Sequence, residues 1–443
     1  AMLKGRHHLL IALCCGFQPL VSSGSASGYA LVADAGSTST RMYLFHLGGA
    51  ADLEITDLGK GPALSSFAGS PSEAAKAVEK QLEKAKELIP EQERPSVPVA
   101  VFATAGMRLV EESIAAEIYA GLRAGILTAE FPFNKELFQA RTISGREEGV
   151  YALLAANYLS GKVSATLELP QDGTLLGVLD LGGSSTQIAL PPHDVKGGSL
   201  LPHLNSMYVR SFLSLGMEKM RQRTYKRIVV EHTDGGVVAN PCAFPGYEAE
   251  EPDSWIGVGS ATDCERAVRK ELQEERASCQ AVEQKSSAPS CLPSDPVKPP
   301  PASPGAPSFY LISGYLYVLD FASWWLQQSG SEVSSVAFAK PQVDLLRRAA
   351  SEVCAAAWDD LIMIATSDAG HKFTQEHKVP HRCFELNYII ALLTEAYGFE
   401  ASADGLFEVV AEVNGNEIEW TLGAFLASHA GQGSKSTALS MEL

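Results

Sequence analysis

Apolar and polar positions repeat one pattern at two distant places in the chain. From Tyr29 to Leu47 (YALVADAGSTSTRMYLFHL) a short apolar run ends in Asp34, passes through Ala35, Gly36 and hydroxyls from Ser37 to Thr40, and resumes as an apolar strand from Met42. From Gly177 to Leu190 (GVLDLGGSSTQIAL) the apolar pair Val178 and Leu179 meets Asp180. The turn Gly182-Gly183 follows, then Ser184, Ser185, Thr186 and Gln187, then a second strand from Ile188. Short apolar runs bounded by glycine turns read as buried strands, and self-similarity within one chain reads as an internal duplication. Glycine lets backbone N–H groups approach an anion closely. A carboxylate beside such a loop repels phosphate unless a divalent cation lies between them. Each hairpin therefore predicts a metal–phosphate loop, and the pair predicts a cleft in which two loops face each other across a polyphosphate.

The remaining pattern alternates strands and helices. Ser70-Pro71-Ser72-Glu73 reads as a capping box with proline at the first helical position. Ala74, Val78, Leu82, Ala85 and Ile89 then recur at helical spacing, and Pro90 and Pro95 end the run. Val97 to Phe102 reads as a strand that delivers Thr104 to Arg108 to its carboxyl end, where α/β sheets bind ligands. Ser144 to Tyr158 reads as a loop becoming a helix with Val150, Tyr151, Leu154 and Tyr158 as its apolar stripe. Glu147 and Glu148 fall in its first turn, where acids favour the helix N-terminus electrostatically. Gln280 to Ser308 is rich in Pro, Ser and Ala and predicts an irregular loop. Phe309 to Phe321 resumes as buried structure, and Gly415 to Ala427 (GNEIEWTLGAFLA) ends in an amphipathic helix.

Composition narrows the reading. A chain of 443 residues, 46% of them hydrophobic, supports two or three domains. The formal net charge of −17 argues against nucleic acid as partner. It says nothing against a small nucleotide held through a metal. Lys4 and Arg6 precede an apolar run from Leu9 to Val21, followed by small residues to Gly28. This is the layout of a secretory signal peptide over residues 1–28. The run is interrupted by Gly16, Gln18 and Pro19 and is short for a span, so a short signal anchor is the alternative. No membrane span is expected in the mature chain. Behind that segment lie six cysteines, Cys242, Cys264, Cys279, Cys291, Cys354 and Cys383. An even number in a secretory context reads as disulfides of open connectivity, and no CxxC spacing suggests zinc. There is no N-x-S/T sequon.

The two loops resemble those of the actin-like, sugar-kinase and heat-shock-chaperone ATPase superfamily. Two further stretches, FATAGMRL (Phe102 to Leu109) and ISGREEGVYALLAANYL (Ile143 to Leu159), narrow this. With DAGSTSTR, DLGGSSTQI and WTLGAFLA they resemble, in order, the motifs of the ecto-nucleoside triphosphate diphosphohydrolase (apyrase) family, over roughly Tyr29 to Ala427. The resemblance implies an α/β fold of two RNase H-like lobes around a nucleotide cleft. Lobe I would hold residues 29–145 and 412–443, and lobe II residues 146–411. It implies Glu148 as the base that activates water, leaving Glu147 to the helix dipole. Asp34 and Asp180 would hold Mg²⁺ or Ca²⁺ through waters. Gly36, Ser37, Thr38, Ser39, Gly182, Gly183, Ser184 and Arg108 would bind phosphate, with Arg108 acting as a strut of the site. Thr104, Ser185 and Gln187 would position the attacking water or the metal's waters. Tyr317, or its rival Tyr315, would stack on the base. The implied disulfides are Cys242–Cys279, Cys264–Cys291 and Cys354–Cys383.

The implied activity is hydrolysis of nucleoside tri- and diphosphates by a monomer in the Golgi lumen or outside the cell. Ser39 stands where several relatives carry His or Gly, so no preference between tri- and diphosphates carries over. The alternatives are an exopolyphosphatase or guanosine pentaphosphate phosphatase, disfavoured by the signal segment, the cysteines and ATAGMR, and an inactive nucleotide-binding protein on the same scaffold.

Overall fold

The computed structural model describes residues 28–439, except 49–52, 129, 172, 193–194, 232–235, 250–253, 284–291, 293–307, 334–335, 369 and 402–403. The signal-like segment and most of the Pro-rich stretch lie outside the described residues.

Lobe I begins with the hairpin β1 (Tyr29–Ala35) and β2 (Ser39–Leu47), followed by β3 (Leu53–Pro62). After α1 (Glu79–Leu88) come β4 (Val99–Ala103), α2 (Glu112–Ile126) and β5 (Gln139–Thr142). The sheet order is β3-β2-β1-β4-β5; β1 pairs antiparallel with β2 and parallel with β4. The chain then forms α3 (Gly145–Leu159) and repeats the plan. β6 (Gly177–Leu181), β7 (Ser185–Leu190) and β8 (Tyr208–Leu213) are the antiparallel part of a second sheet. Helices α4 (Met217–Glu231) and α5 (Ala261–Glu283) follow, then β9 (Phe309–Ser313) and α6 (Gly314–Gln328). Next come α7 (Val343–Cys354), α8 (Arg382–Ala391) and β10 (Phe407–Val409), and the described chain ends in α9 (Trp420–Leu439). The second sheet runs β8-β7-β6-β9-β10, with β9 parallel to both β6 and β10. Each sheet thus orders its strands third, second, first, fourth, fifth, and the duplication read from two hairpins extends to the whole topology.

Three apolar clusters hold this together. One fills lobe I behind Leu31, Ala33 and Val101; one fills lobe II around Leu179, Phe309 and Tyr388. The third lies between the sheets. It joins Val32 and Phe45 of the first sheet and Val178 and Ala189 of the second to the apolar faces of α3 and α9. Phe425 stacks on Phe45 with centroids 5.1 Å apart, so the C-terminal helix packs against the first sheet as well as α3. α9 crosses α3 so closely that a Cβ at Gly423 would lie 1.8 Å from the Tyr151 carbonyl oxygen. This is a packing reason for the glycine in WTLGAFLA.

Three expectations are corrected. Ser70 makes no capping hydrogen bond, and Pro71–Ala77 is a 3₁₀ helix that precedes α1. A capping box occurs instead at Ser144, which accepts from the Glu147 N–H while Glu147 accepts from the Ser144 N–H. The pairings Cys242–Cys279 and Cys264–Cys291 are both overturned, because Cys242 is bonded to Cys264 with Cα atoms 4.8 Å apart. Cys264 lies in the first turn of α5 and Cys279 fifteen residues further along it, about 22 Å down the axis at ~1.5 Å per residue. A cysteine that meets Cys264 therefore cannot reach Cys279. Cys291 and the side chain of Cys279 lie outside the described residues. Cys354 is bonded to Cys383.

Candidate active site

The two glycine loops face each other. A Cβ at Gly183 would lie 3.1 Å from the Ser37 hydroxyl, so the two loops approach closely at this glycine. Between them opens a cleft of about 580 Å³. Gly36, Ser37, Thr38 and Ser39 line one wall; Gly182, Gly183, Ser184 and Ser185 line the other; Asp34, Thr104, Glu148 and Asp180 form the floor. The site lies at the carboxyl ends of β1, β4 and β6, as the parallel part of each sheet requires.

Glu148 reaches this floor from the first turn of α3 and is buried. Arg108 donates to its Oε2, and Gln187 donates to the same oxygen at 3.1 Å. Oε1 is thereby left for a further donor such as a water. The Gln187 amide nitrogen also lies 2.9 Å from the Ser185 hydroxyl and 3.0 Å from that of Ser211. Arg108 is fixed through its Nε on the Ile143 carbonyl at 2.9 Å. Arg108 and Gln187 are both absent from the cleft lining. Arg108, expected to bind phosphate, stands instead behind Glu148, with Nε and Nη2 engaged there and no share in the cleft lining, as the strut the resemblance also implied. Gln187 likewise grips the carboxylate. Glu147 points elsewhere: burial opposes its charge, yet Arg141 at 2.7 Å and the Ser144 N–H hold its carboxyl below the ordinary range.

The acids of the floor repel one another. Burial raises Asp34 well above the ordinary carboxylate range, and Glu419, Glu148 and Asp180 add to the shift. The Trp420 ring donates to the Asp34 carboxylate, but its Oδ1 is buried with no hydrogen-bond partner. Burial pushes Asp180 up to about 7, helped by Glu148 and opposed by the Ser313 hydroxyl. Ser313 holds φ +58°, a strained backbone for a side-chain-bearing residue, at the turn from β9 into α6. An orphaned carboxylate oxygen among converging acids fits a cation. Among the described residues no cluster of three or more His, Cys, Asp or Glu is close enough to chelate a metal directly. Asp34 and Asp180 accordingly fit a cation held through its waters.

At the open end stand aromatics. Tyr317 lines the cleft and packs 6.0 Å from Phe373. Tyr315, the rival for stacking, is corrected: it is fully buried in the lobe II core. Two residues apart on a helix point about 200° apart, so only one of the pair can face the cleft. Sequence reasoning missed Phe373, Arg41, Ser313, Glu417 and Glu419. Phe373 and Ser313 carry no local signal. Glu417 and Glu419 sit inside the stretch 415–427, whose pattern signals only the amphipathic helix at its end.

Two matching lobes, each offering a strand–Asp–glycine loop to a shared cleft, define the class: a two-lobe phosphate-handling enzyme with the actin-like ATPase fold. The GDA1/CD39 (nucleoside phosphatase) family matches residues 21–439, and the chain belongs to that family. It is 25% identical over 444 residues to nucleoside-diphosphatase mig-23 of Caenorhabditis briggsae, spanning 90% of this chain and 76% of that protein. It is 26% identical over 444 residues to ectonucleoside triphosphate diphosphohydrolase 8 of Rattus norvegicus, spanning 90% and 82%. A nucleoside triphosphate hydrolase structure from Neospora caninum superposes with a TM-score of 0.58 at 17% identity, covering 91% of this chain and 93% of that one. The chain is a phosphoanhydride hydrolase. Among the described residues no helix is long and apolar enough to cross a membrane.

Proposed function

We propose that the protein is a divalent-cation-dependent apyrase that removes terminal phosphate from nucleoside tri- and diphosphates. The observation that carries this is the convergence of both glycine loops, Asp34, Asp180 and a doubly gripped Glu148 on one cleft. The substrates follow from the relatives, a nucleoside-diphosphatase and an ectonucleoside triphosphate diphosphohydrolase.

The backbone N–H groups and hydroxyls of Ser37, Thr38 and Ser184 cradle the phosphates. Asp34 and Asp180 hold the waters of Mg²⁺ or Ca²⁺. A divalent cation held there would supply charge neutralisation for the phosphoryl oxygens. Glu148 takes a proton from the attacking water through Oε1, while Arg108 and Gln187 keep Oε2 in place. Ser185 and Thr104 line the floor beside Glu148 and orient that water. No covalent phosphoenzyme is needed. Tyr317, with Phe373 tilted 52° beside it, offers an aromatic face to any base.

A signal-like segment and two described disulfides support a secreted or Golgi-lumenal enzyme. We propose a monomer divided into lobe I (29–145 and 412–443) and lobe II (146–411). The test is phosphate release from ATP, ADP, GDP, UDP and inorganic polyphosphate, with and without EDTA. The proposal expects turnover of tri- and diphosphates, none of monophosphates, little of polyphosphate, and silence in EDTA. Full activity in chelator, or polyphosphate as the better substrate, would overturn it.

A further inference from the structure

The chain between the last β-strands and α9 does more than connect them. It places Glu417, Ile418, Glu419 and Trp420 in the wall of the cleft. Trp420 meets Asp34 at the phosphate end. Glu417 and Glu419 also line a small adjoining recess together with Tyr317 and Phe373, at the aromatic end. Both acids are anchored by one cation: Arg41 reaches Glu417 at 2.9 Å and Glu419 at 3.4 Å, and is itself held by Asp57 at 2.7 Å. The Tyr43 phenol lies beside Glu419, its hydroxyl buried without a hydrogen-bond partner. The two acids therefore lie on the path from the phosphate loops to the aromatic wall. Their charge is felt at both ends. Glu419 is the foremost acidic neighbour of Asp34, and after burial Glu419 and Glu417 are what push the Tyr317 phenol up to about 12.

We propose that Glu417 and Glu419 are specificity-determining residues that accept hydrogen bonds from the ribose hydroxyls of a bound nucleotide. The inference rests on the nucleotidase reading above. A nucleotide whose terminal phosphate occupies the glycine loops and whose base lies on Tyr317 and Phe373 must lay its sugar across residues 417–419. A sugar presents O–H donors there, and ionised carboxylates are acceptor-only groups. Carboxylates bind neutral hydroxyls well and repel anions. An inorganic polyphosphate following the same path would bring phosphate, which offers no neutral hydroxyl, to an acidic wall where the nucleotide brings ribose. One feature thus favours nucleotides twice, by attraction of the sugar and by exclusion of a longer anion. Arg41 is the positioning residue that keeps both carboxylates facing the cleft and restrains their mutual repulsion.

The experiment compares KM and kcat for ADP, 2′,3′-dideoxy-ADP and inorganic triphosphate in the wild-type protein, Glu417→Gln and Glu419→Gln. In the wild type, the dideoxy analogue should show a KM higher by about tenfold, the scale of a hydrogen bond to a charged group, with kcat changed far less. Each variant should narrow that gap and lower the KM for inorganic triphosphate, an effect that general damage to the fold would not produce. Equal KM values for the two sugars in the wild type would overturn the inference, and that comparison needs no variant. Variants that keep the full sugar preference would also overturn it. Wild-type protein that hydrolyses inorganic triphosphate but neither nucleotide would remove the nucleotidase reading, and this inference with it.

Discussion

The two phosphate loops share a pattern but not an environment. In lobe I, Ser37 and Ser39 are half-buried and Thr38 is exposed. In lobe II, Ser184, Ser185, Thr186 and Gln187 are all buried. The Thr186 hydroxyl bonds the Asp180 carbonyl at 2.7 Å and the Tyr397 hydroxyl at 2.9 Å. The Met217 and Glu218 N–H groups at the start of α4 are spent on the Gly182 and Gly183 carbonyls. Loop II also holds Glu148 through Gln187, whereas loop I reaches α9 through Asp34 and Trp420. Duplication supplied two phosphate cradles, and burial made them unequal. On the proposed reading the buried loop would carry the groups that must be fixed in the transition state, and the more exposed loop would admit and release substrate. This division predicts that loop II substitutions lower kcat and loop I hydroxyl substitutions raise KM.

The largest expected effect is at Glu148. Glu148→Gln keeps shape and loses the base, so kcat should fall at least ~10²-fold with nucleotide still bound; Glu147→Gln should be nearly silent. Steady-state kinetics of the two variants side by side check this, and equal losses would contradict the assignment. Next is Gln187→Ala, which removes one of the two donors on Glu148 Oε2. It should lower kcat by about tenfold, the value of roughly one hydrogen bond to a charged group, with KM little changed. Thr38→Ala should do the reverse, raising KM by a few-fold, the scale of one ordinary hydrogen bond, at nearly constant kcat. If Thr38→Ala lowered kcat as much as Gln187→Ala, the two loops would be equivalent and the comparison would fail.

A subtler effect concerns pH. In cation-free protein Asp180 is pushed up to about 7 in the folded state, against about 3.9 unfolded. Between these values the folded state binds the extra proton, so stability declines as pH rises through the window and the full cost is present above it. Cation-free wild type should lose more Tm than Asp180→Asn between pH 5 and pH 8 by scanning fluorimetry. Mg²⁺ or Ca²⁺ at pH 8 should restore the loss in wild type alone. A wild-type Tm that rises over this range relative to Asp180→Asn would contradict the placement of Asp180.

Much of this was legible because it is local. A strand, an aspartate and a glycine turn are written in consecutive residues, and two copies imply the facing geometry. Glu148 was placed in the first turn of its helix by periodicity alone, and its role followed only from the resemblance. What was not legible depends on contacts between distant segments. Tyr315 and Tyr317 could be separated only once the helix was known to begin at Gly314. Arg108 carries no local sign of its partner, Glu148, which lies forty residues away. The pairing of Cys242 with Cys264 follows from where α5 starts, which no cysteine spacing records. Glu419 gains its importance from Arg41, in a strand 378 residues earlier.

The central claim is that the two loops act jointly on one cation-bound phosphate chain. The most direct measurement is calorimetric binding of a non-hydrolysable methylene nucleotide, with Mg²⁺ and with EDTA, to the wild type, Asp34→Ala and Asp180→Ala. Binding that needs the cation and is weakened by either substitution, one in each lobe, is the predicted result. Cation-independent binding, or a dependence on only one of the two aspartates, would contradict it.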